Sequence, residues 1–459
     1  PNIIHQMSAD EQNLTLLSEI QSLQSKMINT YDRKNKIFDI QNIKIILPNA
    51  KVGKPYSATI DMNALYIKDL SEYQFSGLNE LGLSFNAETS TIEGTPTLSG
   101  DIKIKFLFKL IGETEDAAFN EKLINFVINP NPKDLWKDIP SDPNALFAKP
   151  DIRHSRDKIG NRNIVAASKR GRSHANVGSF RDDDYAYKHL DNIDWSIVLV
   201  SDGAGSASLS REGSRLACCS VIEYFESQLD TAKHTEFEEK LRLYIEQNDE
   251  ELGKEVNNLS KSILYKAAYH AFQQIDALSK KTQAEHPGLF DNPKASQPIE
   301  YFHSTLIFTL FKRFEKGYVF QTFSVGDCPI GLMIDDDKTE MLNWLDVGEF
   351  GGGTRFITQA DIFRKQDVMT TRFKLKFVED FKYLFMMSDG IYDPKFVVEA
   401  NLDKPEKWKE FLSDLEGNNE ENIKVELNEE NPLLDEQLSA WMDFWSIGNH
   451  DDRTLTIVY

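Results

Sequence analysis

Cysteine is scarce in this chain: Cys218, Cys219 and Cys328 are the only three in 459 residues. An odd count without metal-ligand spacing excludes a disulfide framework and a thiolate zinc site. It reads as buried, reduced thiols and points to the cytosol. Basic residues are also in deficit, 52 against 73 acidic ones, for a formal charge of −21. That balance argues against nucleic acid or an anionic membrane as the main partner. No run approaches the roughly 18 apolar residues of a membrane span, and no signal peptide is visible, so the expected location is cytoplasmic. What the chain does have is 40% hydrophobic residues, enough for sizeable cores, and a length that predicts two or three domains.

The pattern along the chain divides it into four parts. Residues 1–37 read as a helical arm: Asp10 and Glu11 enrich a first turn, and Leu14, Leu17, Ile20 and Leu23 form a stripe at helical spacing that suits docking. Residues 38–130 read as all-β. There Ile102, Ile104, Phe106 and Phe108 alternate with Lys103, Lys105 and Lys109, with Gly/Pro punctuation at Val52–Pro55 and Gly94–Pro96. Residues 131–160 are proline-rich and read as a linker, pinned to a neighbour by Trp136 and Phe147. Residues 161–459 form the large domain. It has strands near 164–168, 185–187, 197–200, 305–311, 318–325, 330–334 and 382–387, and helices near 210–228 and 261–283. An acidic segment at 412–437 is expected to be an exposed insertion. Antiparallel strands with helices segregated between them predict an α+β layered fold.

Chemistry concentrates where apolar strands end in acids. Ile197-Val198-Leu199-Val200 runs into Ser201-Asp202-Gly203-Ala204-Gly205, and Leu384-Phe385-Met386-Met387 runs into Ser388-Asp389-Gly390. Asp183, Asp327 and Asp451 also lie at strand–loop junctions. Singly, an Asp in a turn bonds its own backbone. Five at the strand ends of one sheet system read as a site for hard divalent ions, which prefer carboxylate, carbonyl and water oxygens.

Five short motifs, in order, resemble the metal-dependent protein phosphatases of the type 2C Ser/Thr family, in particular its bacterial branch. They are Asp182-Asp183, Asp202-Gly203, Val325-Gly326-Asp327-Cys328, Ser388-Asp389-Gly390-Ile391-Tyr392-Asp393 and Asp451-Asp452-Arg453-Thr454. Similarly, Leu81-Gly82-Leu83-Ser84-Phe85 followed by Gly94-Thr95-Pro96 and Ser99-Gly100 resembles immunoglobulin-like modules. The resemblance implies a four-layer α-β-β-α sandwich after a small immunoglobulin-like β-sandwich. It also implies two Mn²⁺ or Mg²⁺ ions, with a weaker third site. Asp183, Asp202, the Gly203 carbonyl, Asp389 and Asp451 would be ligands, with Asp202 bridging and Asp327 joining Asp389 at the third site. Asp184 is the alternative to Asp183, because three acids are consecutive.

Two departures stand out. Ala204 occupies the place of a His proposed as general acid in many family members, and Gly178 occupies that of a phosphate-binding Arg. Arg172 and Arg181 are the candidate replacements, since guanidinium binds phosphate bidentately. His174 either contacts phosphate, acts as an acid, or satisfies a loop backbone. The implied activity is hydrolysis of phosphoserine or phosphothreonine on a partner protein, by water activated between two ions. The alternative is a pseudophosphatase acting as a phosphoprotein-binding scaffold. A partner Ser/Thr kinase and a protein partner for the β-module complete the expectation.

Overall fold

The computed structural model describes residue 3 and residues 10–131, 135–293, 295–346 and 353–459. The chain forms two compact units, 1–135 and 136–459. No described helix is long and apolar enough to cross a membrane.

The first unit opens with helix α1 (Glu11–Asn42), capped by Asp10, whose side chain accepts from the Gln12 N–H at 2.9 Å. Seven strands follow: β1 (Ala50–Lys51), β2 (Tyr56–Thr59), β3 (Leu70–Ser76), β4 (Leu83–Asn86), β5 (Thr91–Gly94), β6 (Gly100–Leu110) and β7 (Asn120–Asn129). They form two sheets, β1-β7-β6-β3 and β2-β5-β4. The alternation seen in the sequence is the reason: Ile104, Phe106 and Phe108 are buried with Ile92, Ile124 and Phe126 in one core, while Lys103 and Lys105 face water.

The second unit begins earlier than a linker over 131–160 allows. Residues Trp136 to Pro150 wrap along its surface, and β8 (Ile152–Ile159) is an edge strand of its sheet. Prolines there punctuate an extended path that is held by side chains. The ring of Trp136 packs 4.5 Å from that of His450, and Phe147 packs edge-on to Phe302.

Strands β9 (Arg162–Lys169), β10 (Asp184–Leu190), β11 (Trp195–Ser201), β12 (Leu306–Phe314), β13 (Gly317–Val325), β14 (Ile330–Asp335), β15 (Lys338–Met341), β16 (Phe373–Val378), β17 (Tyr383–Met387) and β18 (Arg453–Val458) complete two antiparallel sheets. Their orders are β10-β11-β12-β13-β16 and β15-β14-β17-β18-β9-β8. The apolar runs exist because both faces of these strands are covered. Along β11, Ile197 and Leu199 enter a core with the helices, while Val198 and Val200 enter one with the other sheet.

Helices α2 (Arg172–Val177), α3 (Ser210–Glu223), α4 (Thr231–Gln247) and α5 (Glu250–Glu285) follow β9 and β11. The stripe of α5 (Leu264, Ala268, Ala271 and Ile275) is buried against the first sheet with Val221 and Phe237. Helices α6 (Asp389–Phe396), α7 (Pro405–Leu415) and α8 (Leu434–Trp441) pack on the second sheet. This corrects the expectation of an exposed insertion at 412–437. Leu415, Val425 and Leu434 are buried beside Trp408 and Trp441, so sparse apolar anchors outweigh the acidic composition.

Candidate metal centre

Strand register brings the acids together. Asp184 pairs with Ser201 where β10 meets β11, and Leu306 pairs with Val325 where β12 meets β13. In the other sheet, Met387 pairs with Leu455 and Arg453 with Lys169. Asp183 therefore precedes β10, Asp202 follows β11, Asp327 follows β13, Asp389 opens α6 after β17, and Asp451 precedes β18. A cross-sheet bond ties the two rims: Thr454 Oγ1 donates to Asp183 Oδ2 at 2.8 Å.

The loops fit closely. A Cβ on Gly203 would lie 2.5 Å from the Asp182 carbonyl oxygen, and one on Gly390 1.9 Å from that of Asp452. Only glycine lets these backbones approach.

The electrostatics separate neighbouring acids. Asp184 is buried and its charge is met by three cations: Lys149 at 3.2 Å, Arg153 at 2.7 Å and Arg181 at 3.8 Å. Its pKa is accordingly lowered: burial opposes ionisation but Lys149, Arg181 and Arg153 outweigh it. By contrast, none of Asp183, Asp202, Asp327, Asp389 and Asp451 forms a salt bridge with a lysine or arginine among the described residues. Burial and then Asp452 push Asp183 up to about 7. Burial, then the charges of Asp389, Asp183, Asp451 and Asp327, raise Asp202 far above an ordinary carboxylate. Asp389 is raised likewise, by burial and then Asp451, Asp327 and Asp183. Burial also raises Asp327, although Thr354 Oγ1 donates to it at 2.6 Å. Asp451, raised by burial and by Asp452, is the most open of the five. The buried Asp389 Oδ1 has no hydrogen-bond partner among the described residues. Uncompensated carboxylates and an orphaned oxygen are what a divalent cation site leaves when only protein atoms are counted. The donor set fits such ions.

Beside this group lies a brace. Asp452 accepts from the Gly171 N–H at 2.6 Å, from His174 Nδ1 at 3.0 Å and from the Asp182 N–H. His174, Asp182 and Asp452 offer ligand atoms within 4.8 Å of one another, but the Asp452 carboxylate is already engaged by these donors. Burial acts to lower the His174 pKa. The Asp452 hydrogen bond and the charges of Asp452, Asp182 and Asp451 outweigh it and push the pKa up to about 10. A Cβ on Gly205 would lie 3.8 Å from His174 Nε2, so the imidazole faces the Asp202 loop.

The two arginines look elsewhere. Arg181 is buried, with Nη1 donating to Ser168 Oγ at 2.6 Å and to the Asp183 carbonyl, and Nε to the Pro150 carbonyl. Arg172 donates to the carbonyls of Asp443 at 2.7 Å and Phe444 at 3.1 Å. Arg355 pairs with Asp361 at 2.6 Å. Of the glycine-rich segment Gly348–Gly353 just before it, only Gly353 lies within the described residues.

Lys149 carries no signal in the sequence. Its buried Nζ donates to the carbonyls of Asp183 at 2.7 Å and Arg211 at 3.0 Å as well as pairing with Asp184. Burial pulls its pKa down to about 8. Its partners lie more than 30 residues away, so no local motif could announce it.

Residues 170–443 match the family model of protein phosphatase 2C, and the chain belongs to that family. No curated protein matches it. The solved structures to which it is similar include three phosphatases, each at a TM-score of 0.33. One is a bacterial serine phosphatase, 16% identical over 64% of this chain and 96% of that one. Another is the serine/threonine phosphatase Stp1 from Staphylococcus aureus, 14% identical over 70% and 98%. The third is the catalytic domain of the serine threonine protein phosphatase PstP in complex with two manganese ions, 13% identical over 67% and 96%. Family membership rests on the match over residues 170–443.

Proposed function

We propose that the chain is a metal-dependent protein phosphatase that hydrolyses phosphoserine or phosphothreonine on a partner protein. The observation that carries this reading is the convergence of five carboxylates, from both sheets, without a lysine or arginine partner among the described residues. Asp183, Asp202, Asp389, Asp451 and the Gly203 carbonyl would hold two Mn²⁺ or Mg²⁺ ions, with Asp202 serving both. Asp327 joins Asp389 at a third, weaker site. When bound, such ions supply Lewis acidity and an activated water.

The chain's own groups do the rest. Asp184, neutralised by its three cations, holds the loop that aims Asp183. The hydrogen bond to Asp452 keeps His174 protonated and turned toward the Asp202 loop, where it can hold a phosphate oxygen or pass a proton to the leaving group. This fills the place left by Ala204. In the same reading the helix and sheet layers of residues 161–459 form the α-β-β-α sandwich, and residues 38–130 form an immunoglobulin-like module that binds a protein. A Ser/Thr kinase is the kind of partner whose products such an enzyme would remove.

A second reading is favoured by one specific observation. Arg172 and Arg181 both spend their guanidinium N–H groups on backbone carbonyls, and no other arginine is assigned to phosphate. A phosphoprotein-binding scaffold with little turnover would have this feature. Phosphate release from phosphopeptides by the purified full chain, with and without Mn²⁺, decides between them when run beside calorimetric Mn²⁺ titration. Metal-dependent release that Asp202→Asn abolishes supports the enzyme. Metal binding without release selects the scaffold. Neither binding nor release overturns both readings.

A further inference from the structure

The first unit carries an apolar surface that its own core does not use. Along α1, Leu16, Ile20, Leu23, Met27, Tyr31 and Phe38 each expose half or more of their surface, with Met27 at 75%. At 100° per residue they fall within an arc of roughly 80°. Ile40, the one α1 residue buried in the module's core, points about 140° from the centre of that arc. The helix meets its module's core only in its last turns, at Ile37 and Ile40, and the stripe from Leu16 to Phe38, about 33 Å long, faces its surroundings. A contiguous apolar patch of this kind marks an interaction site, and a helix this exposed gains most of its stability from what covers it.

Charge identifies the occupant. From the cap to Ser25, α1 carries Asp10, Glu11 and Glu19 and no base, and from Lys26 onward it carries Lys26, Arg33, Lys34 and Lys36 against Asp32 and Asp39. A parallel pair of such helices would set base against base. An antiparallel pair centred on Met27 sets Leu16 across from Phe38, Leu23 across from Tyr31, and Glu19 beside Lys34 of the other arm, while Lys36 lies on the far side of the helix and pairs with Asp69 of its own module. Lys34, which interrupts the stripe, then gains a carboxylate within reach. Six such side chains on each arm, flanked by Leu17 and Ile28, would remove on the order of 1,500 Å² from water, the size of a specific interface. We infer that α1 is a dimerisation arm that pairs antiparallel with the α1 of a second copy of this chain. The inference does not depend on the phosphatase reading.

Sedimentation velocity on the full chain tests it. The expected species is a dimer, and Leu23→Glu combined with Met27→Glu halves the mass, with a fall in helical circular dichroism no larger than the 32 residues of α1 account for. Ser22→Glu, on the opposite and exposed face, keeps the dimer. Orientation is read by oxidative cross-linking in a Cys219→Ser background, because Cys219 is exposed. A mixture of Leu16→Cys and Phe38→Cys proteins should cross-link, and Leu16→Cys alone should not. A monomer at every concentration, a dimer that survives the double charge substitution, or Leu16→Cys linking to itself would each overturn the proposal. So would a monomer whose α1 amides are protected from hydrogen exchange, since the stripe would then be covered by its own chain.

Discussion

Replacing Asp183 by Asn should stabilise the metal-stripped protein and abolish its response to metal. The Asp183 carboxyl has an ordinary value of 3.8 and is pushed up to about 7 in the fold, first by burial and then by Asp452. A raised carboxyl costs nothing below its unfolded pKa. The penalty grows as pH rises from 3.8 to 7, because the unfolded chain ionises first, and it is complete above 7. That gap corresponds to about 4 kcal/mol at pH 8 and to under about 2 kcal/mol at pH 5. Asn keeps the shape and can still accept from Thr454 Oγ1, which donates to Asp183 at 2.8 Å, but it has no charge to desolvate. Metal-stripped Asp183→Asn should therefore melt on the order of 5–10 °C above the parent at pH 8, and by much less at pH 5. Saturating Mn²⁺ at 100 times its Kd would add about 2.7 kcal/mol to the parent and little to the variant. Thermal melts at both pH values, with chelator and with Mn²⁺, check all four cells. A lower melting temperature for the metal-free variant at pH 8, or an equal gain from Mn²⁺, would refute the view that Asp183 is a strained, cation-seeking ligand.

Three further outcomes follow from contacts around the same rim. Gly390→Ala places a methyl 1.9 Å from the Asp452 carbonyl oxygen. It should cost about 2–3 kcal/mol in urea unfolding and weaken Mn²⁺ binding, because α6 and the β18 loop must separate. Lys149→Met removes the donor shared by Asp184 and the Asp183 carbonyl. A loss of about 3 kcal/mol is expected by denaturant titration, with circular dichroism unchanged below the midpoint. His174→Gln should lower turnover by about 100-fold while calorimetric Mn²⁺ affinity stays within a few-fold of the parent. An equal loss of affinity would place His174 among the metal ligands instead.

Much of the scaffold was legible because its causes are local. A strand buried on both faces must be apolar without interruption, so Ile197–Val200 and Leu384–Met387 announce themselves. Acids and glycines then mark where each strand leaves the core. Between Trp136 and Ile159 the pinning by Trp136 and Phe147 was legible, but strand β8 and the role of Lys149 were not, because their reason lies outside the segment. As an edge strand, β8 exposes Arg153, Arg156 and Lys158, so it shows neither an apolar run nor a clean alternation. The segment before it is held by Trp136 against His450 and Lys149 against Asp184, both far away in sequence. The α7–α8 region failed for the opposite reason. Its charge is a property of the segment, while its position is decided by a few residues such as Phe411, Val425 and Trp441.

The candidate site shows the same division within a single triplet. Asp182, Asp183 and Asp184 are identical in type and consecutive, so no property of the residues themselves ranks them. The fold ranks them by company. Asp184 receives Lys149, Arg153 and Arg181 and behaves as a structural anion. Asp182 faces His174, its nearest carboxylate–imidazole approach being 3.8 Å, and belongs to the brace. Asp183 meets a threonine hydroxyl and other carboxylates but no lysine or arginine among the described residues. In the proposed reading, a carboxylate that the protein buries beside negative charge, while spending three cations on its neighbour, takes its partner from solution. That favours Asp183 over Asp184 as the first metal ligand. It also accounts for Arg181: its guanidinium supports the carbonyl of Asp183 from behind, positioning the ligand instead of reaching past it to a phosphate.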